Sequence, residues 1–300
     1  MGINSTTYKA FGLCIQSDPD LSDMLPMICS EKADLFISET TIPPRSYEKT
    51  QVFRKDTQAE INIDSETVRL HWPSIATFEI TEGQEIRYQS YCDEPQTLKL
   101  FLLSEAIGIA LFQLGFFMLH ASAVKIKNKA HLFLGEPGAG KSTMATAFWQ
   151  AGFPVLTDDL VALKIEQNNI TLLPAFPQFK VWQNALDGLR IDLKNLKPSF
   201  EGRDKYLITQ DFEKFEKKVI DIAQINILNL EESGDLPTFK APIEFLKHFP
   251  LPNQLLSGAL IRSHFQDSIT LSKTVKINLL KRPEGFENLK HFVEQYAAQC

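Results

Sequence analysis

The chain has 300 residues, 44% of them hydrophobic and 23% charged, an ordinary globular composition that excludes disorder, collagen-like repeats and coiled coil and leaves room for two modest domains or one large one. Thirty-one Lys and Arg against 37 Asp and Glu give a net charge of -6, which argues against a nucleic-acid binder working through a general basic surface. The four cysteines, Cys14, Cys29, Cys92 and Cys300, are widely spaced and form no C-x-x-C pair, so neither a disulfide scaffold nor a zinc site is expected, and the expected compartment is a reducing cytoplasm. The first residues lack a basic segment followed by an apolar run, so no signal peptide is read there. Gly2 with Thr6 fits the short N-myristoylation pattern, a match too brief to carry weight.

The first hundred residues are expected to be strand-rich. Segments 8–15, 33–37, 59–63, 68–72 and 76–80 alternate apolar with polar residues, the period of a strand with one face in a core and one in solvent. Turn-forming residues such as Ser65-Glu66 and Glu82-Gly83 separate them. With no catalytic constellation in this stretch, residues 1–97 read as a strand-rich α+β domain for substrate binding or for contacts within a homo-oligomer. Segment 98–119 could be mistaken for a membrane span. Lys99 and Glu105 leave its uncharged part shorter than the ~20 residues a span needs, so a helix buried in the protein, with no membrane partner, is expected instead.

Residues 98–300 follow the order apolar helix, strand, glycine-rich turn, helix, which is that of an α/β nucleotide-binding unit. Gly135-Glu136-Pro137-Gly138-Ala139-Gly140-Lys141-Ser142 fits G-x-x-x-x-G-K-[ST], between a buried strand expected at 130–134 and a helix expected over 142–149. A triphosphate carries several negative charges that need convergent donors. Gly135, Gly138 and Gly140 let backbone N–H groups point inward without intruding side chains, and the helix N-terminus adds partial positive charge. Lys141 is then placed for the β- and γ-phosphates and Ser142 for Mg²⁺, with Thr143 following, so ATP and Mg²⁺ are the expected ligands.

Segment 152–157 reads as a second strand, ending in Asp158-Asp159. In a parallel α/β sheet the carboxyl ends of neighbouring strands open onto one crevice. Two carboxylates there can divide the work, one deprotonating an attacking hydroxyl and the other holding Mg²⁺. His120 stands where the apolar helix gives way to a strand at 121–126; on its own a histidine there reads as a satisfied core residue. His71, His131, His248, His264 and His291 read as structural or surface residues. A hairpin over 161–165 and 170–173 follows, and a closing amphipathic helix from 286 places Phe286, Leu289, Phe292, Val293 and Tyr296 on one face.

Three runs, 119–126 around His120, 134–143 through the glycine-rich turn, and 152–163 around Asp158-Asp159, resemble the C-terminal catalytic domain of HPr kinase/phosphorylase. The resemblance implies a P-loop core of the HPr-kinase/PEP-carboxykinase-like kind. It makes His120 an active-site residue, Asp158 the base for a seryl hydroxyl, and Asp159 a partner of His120 or a support for Mg²⁺. The family's second glycine-rich signature is replaced here by Leu172-Leu173-Pro174-Ala175-Phe176-Pro177-Gln178-Phe179-Lys180-Val181-Trp182, so neither phosphorylase activity nor HPr as acceptor is implied. That stretch, the strand-rich start and the ending at 275–283 are more similar to the HPr-kinase-like enzymes of lasso-peptide gene clusters, which phosphorylate the C-terminal serine of a precursor peptide. On this resemblance Lys180, Arg203 and Lys205 are candidates for gripping phosphates or the peptide carboxylate. The expected function is that of an ATP- and Mg²⁺-dependent serine kinase acting on a peptide with a terminal serine. A carrier protein or small-molecule hydroxyl as acceptor, and an ATP-binding sensor without kinase activity, are the alternatives.

Overall fold

The computed structural model describes residues 6–25, 27–54, 56–167, 169–199, 204–229, 231 and 233–300. The backbone packs as two units, residues 6–118 with Pro250–His264, and Leu119–Phe249 with Phe265–Cys300. The apolar helix therefore counts with the first unit, whose main segment runs past the division expected at residue 97.

The first unit is built on an eight-stranded sheet of β1 (Thr6–Ala10), β2 (Leu13–Ser17), β3 (Leu35–Glu39), β4 (Glu48–Arg54), β5 (Thr57–Asp64), β6 (Thr67–Trp72), β7 (Ala76–Thr81) and β8 (Glu85–Ser90), in the order β1-β2-β3-β8-β7-β6-β5-β4. β4 to β8 form an antiparallel meander, and β3 runs parallel to both β2 and β8. The expected single strand at 8–15 is instead a hairpin. Phe11 and Gly12 take φ of 51° and 71° and reverse the chain, a local turn that counting apolar residues does not register.

The helix Pro95–Gln113, with a π-helical stretch at Leu102–Ala106, packs on β7 and β8. It ends short of residue 119 because Gly115, at φ 85°, takes the left-handed conformation that closes many helices, after which Phe117–Leu119 is a strand, β9. Among the described residues this is the one helix long and apolar enough to cross a membrane, and most of its apolar window is buried within the protein. Its two charges are paired: Lys99 Nζ lies 2.9 Å from Asp23, and Glu105 accepts from Arg54 at 2.7 Å. The cysteine expectation is also corrected. Cys14 and Cys29 form a disulfide with Cα atoms 5.7 Å apart, because Cys29 N–H donates to the Thr7 carbonyl and brings its segment back beside the hairpin. Cys92 and Cys300 are free thiols.

The second unit contains β10 (Ala121–Ile126), β11 (Lys129–Leu134), β12 (Val155–Thr157), β13 (Val161–Glu166), β14 (Asn169–Leu173), β15 (Gln178–Trp182), β16 (Lys197–Pro198), β17 (Lys205–Thr209), β18 (Ile220–Asn229), β19 (Gly234–Asp235) and β20 (Lys276–Lys281). Its main sheet runs β12-β10-β11-β18-β14-β13, with β20 beside β18. β11, β18 and β20 are parallel, but β10 pairs antiparallel with both β11 and β12. The sheet is thus mixed, and one strand lies between the two that precede the glycine-rich turn and the Asp pair. β15, β17 and β16 form a small antiparallel sheet.

The expected β13–β14 hairpin and closing helix Phe286–Gln299 are both present. Leu289, Val293 and Tyr296 of that helix pack with Phe133, Met144 and Phe148 in one core. Full burial of a side chain such as Phe148 contributes roughly 2–3 kcal/mol. The Tyr296 hydroxyl keeps its polar tip satisfied in this core, accepting from Asn226 Nδ2 at 2.8 Å and lying 3.1 Å from His131 Nδ1. Burial pushes the His131 ring down to about 4, so it is a neutral core histidine, as expected.

Candidate functional site

β11 delivers the chain to the glycine-rich turn, where Gly135, Gly138 and Gly140 take φ of 155°, 82° and 98°. A side chain at Gly135 would bring its Cβ to 2.8 Å from that of Ala139, so the turn closes only with glycine there. The helix Lys141–Gln150 starts directly at the turn, with Gly140 as its N-cap, so its amino end, where N–H groups lack partners within the helix, lies at the turn. Lys141 is buried. Its Nζ donates to the Gly135 carbonyl at 2.8 Å and to the Glu136 carbonyl at 3.3 Å. Burial lowers its pKa, against the opposing charges of Asp159, Asp158 and Glu136.

Asp158 stands directly beyond β12. Its Oδ1 accepts from Ser122 Oγ at 2.5 Å and from Ser142 Oγ at 3.2 Å. Its Oδ2 is shielded from solvent and has no hydrogen-bond partner among the described residues, a costly arrangement for a carboxylate. Burial first, and the neighbouring Asp159 charge second, push the Asp158 carboxyl up to about 7, against the bond from Ser122, the Lys180 charge and the bond from Ser142. The turn is tight, with Leu160 N–H donating to the Asp158 carbonyl at 2.8 Å and Asp159 at φ 66°.

Asp159 turns to Lys180, whose Nζ lies 3.6 Å from its carboxylate. His120 meets Asp159 through the main chain: its Nδ1 is 3.0 Å from the Asp159 carbonyl oxygen. A carbonyl only accepts, so Nδ1 carries a proton. On its other side His120 N–H donates to the His248 carbonyl at 2.6 Å.

The structure thus brings together His120, Lys141, Ser142, Asp158, Asp159 and Lys180 around one end of the sheet. Thr143 lies in the first turn of the helix. Lys205 goes elsewhere: its Nζ sits over the exposed Trp182 ring, 4.6 Å from the centroid. Arg203 lies outside the described residues. Sequence analysis missed two neighbours. Ser122 lies in β10 two positions beyond His120, and that closeness in sequence is the one signal that could have found it. His248 is buried rather than on the surface, and burial followed by the Lys141 charge holds its ring below the ordinary histidine range. Nothing local marks it, because it arrives from a distant part of the chain.

The chain is similar to a solved structure described as the Hpr(Ser) kinase/phosphatase from Coxiella burnetii, at 13% sequence identity and a TM-score of 0.32, over 61% of this chain and 94% of that one. No protein-family model matches the sequence, and no curated protein does.

Proposed function

We propose that the chain is an ATP- and Mg²⁺-dependent kinase that phosphorylates a hydroxyl, with the C-terminal serine of a lasso-peptide precursor as its acceptor. The observation that carries this reading is Asp158. One oxygen of this buried carboxylate is held by Ser122 and by Ser142 of the glycine-rich turn's helix, and the other has no partner among the described residues. A carboxylate with a pKa near neutrality is matched to taking a proton from a hydroxyl at ordinary pH.

The donor set fits a magnesium nucleotide. The turn offers helix N–H groups and open space around Gly138, where an added Cβ would meet nothing within 4 Å. Lys141 is a buried cation resting on the turn's own carbonyls, and Ser142 with Asp159 supplies hard oxygen ligands of the kind Mg²⁺ takes. Bound Mg²⁺-ATP would supply the phosphoryl group and the cation that offsets its charge. The protein's own part is then positional and electrostatic. Asp158 Oδ2 accepts the acceptor's hydroxyl proton, Lys141 balances phosphate charge, and Lys180 holds Asp159. His120 is fixed at Nδ1 by the Asp159 carbonyl and at its main-chain N–H by the His248 carbonyl. The choice of acceptor rests on the sequence resemblance.

The test is mass spectrometry of short peptides, with and without a C-terminal serine, incubated with Mg²⁺-ATP and either the natural chain or Lys141→Ala. The expected result is one added phosphoryl group with the natural chain alone and on terminal-serine peptides alone. Phosphorylation irrespective of the terminal residue would overturn the acceptor. ATP binding with no transfer to any hydroxyl would overturn the kinase and leave a nucleotide sensor.

A further inference from the structure

One cation at this site has no role in the reading above. β11, β18 and β20 are parallel, so their carboxyl ends share one edge of the sheet. Arg282 is the first residue beyond β20, and its backbone N–H donates to the Asn229 carbonyl at the end of β18, at 2.9 Å. From there the side chain reaches the glycine-rich turn. Its Nη1 donates to the Ala139 carbonyl at 3.3 Å, and it lies so close to Gly140 that an added Cβ would come 2.8 Å from Nη1 and 3.0 Å from Cδ. Gly140 is therefore required twice, by its φ of 98° and by the guanidinium packed against it.

The position is electrostatically wrong for a resting protein. The amino end of a helix is its positive end, where a cation is unfavourable and an anion favourable. Arg282 stands there, packed against Gly140, the residue before Lys141, and among the described residues it makes no ion pair with a carboxylate. The one bond to Ala139 leaves most of the guanidinium's five donors for something else. An arginine placed with a lysine at a helix amino end is balanced by an anion with several oxygens, which its planar fork binds bidentately.

We propose that Arg282 is a phosphate-binding residue of the nucleotide site, a second cation beside Lys141 that contacts the phosphate chain. This rests on the triphosphate reading of the turn and extends it to a residue outside the motif. It also gives the stretch ending at Pro283 a part in ligand binding.

The test is calorimetric titration of the full chain with ATP and with inorganic tripolyphosphate, comparing the natural protein, Arg282→Gln, Arg282→Lys and Lys141→Ala, alongside ligand-free melting temperatures. Losing a charge-assisted phosphate contact is expected to weaken both ligands about 10- to 100-fold in Arg282→Gln, and less in Arg282→Lys. Ligand-free melting is expected to stay at the natural value, since the change removes a cation from a positive site. Unchanged affinities in Arg282→Gln, with Lys141→Ala weakened, would overturn the proposal and keep the site. Weaker ATP with unchanged tripolyphosphate would move Arg282 to the base or sugar and overturn the phosphate contact. A lowered ligand-free melting temperature with unchanged affinities in both Arg282 variants would make the residue a brace for the turn. If the natural chain bound neither ligand, the triphosphate reading and the proposal would fail together.

Discussion

Replacing Asp158 by Asn tests the electrostatics of the site without any acceptor. In the folded chain burial and Asp159 hold the Asp158 carboxyl at about 7, against an ordinary value of 3.8. Between those values the folded state keeps a proton that the unfolded state has released, so the free energy of unfolding falls as pH rises through the window. A gap of about 3 units at 1.36 kcal/mol each sets the full loss at about 4 kcal/mol, an upper bound because Lys180, Lys141 and the two serine hydroxyls relax around the charge. Asparagine keeps an oxygen for Ser122 and Ser142 and cannot ionise. It leaves an unpaired N–H group in place of Oδ2, which costs about 1–3 kcal/mol at every pH. Asp158→Asn is therefore expected to be less stable than the natural chain at about pH 5 and to gain on it steadily toward about pH 8. Urea unfolding at several pH values reads the difference directly. A constant difference across that range would refute the buried-carboxylate argument.

Two further substitutions separate the site from the scaffold. Ser122→Ala removes the bond that most strongly lowers the Asp158 pKa, so the rising limb of phosphoryl transfer against pH is expected to move to higher pH; a limb that stayed in place would show that Ser122 does not tune the base. Glu105→Ala breaks the buried pair with Arg54 inside the first unit. The expected loss is about 3–5 kcal/mol in urea unfolding, and a loss under about 1 kcal/mol would place the pair effectively in solvent.

The glycine-rich turn was legible because its chemistry is local: three glycines, a lysine and a serine at fixed spacing constrain the backbone whatever surrounds them. The middle meander strands β5, β6 and β7 and the closing helix were legible for the same reason, since burial on one face imprints a period, whereas β4 and β8 were not read. The β1–β2 hairpin was not, because Phe11 takes a left-handed conformation that its residue type disfavours, and only tertiary packing holds it there. The disulfide was missed because sequence spacing says nothing of which segment returns beside which. Lys180 and Lys205 were both candidates in sequence for gripping phosphates or the peptide carboxylate. They separate in three dimensions because Trp182 and Lys205 are paired across β15 and β17, which gives Lys205 an aromatic face to rest on while Lys180, two residues back, meets Asp159.

The strand β10 was read at its full span, but its antiparallel place between β11 and β12 was the least legible feature and explains the most about the site. A purely parallel order would put the glycine-rich turn and the Asp pair on adjacent strands with nothing between them. With β10 interposed, the start of that strand falls at the same edge, and the two-residue period sets His120 and Ser122 between turn and carboxylates. Asp158 Oδ1 then receives hydrogen bonds from both sides, one from β10 and one from the helix that begins at Lys141. A hydroxyl has one proton and two lone pairs, so Ser142 can hold a cation through its oxygen while its proton stays on Asp158. The carboxylate's orientation is thereby tied to the residue that would bind the metal.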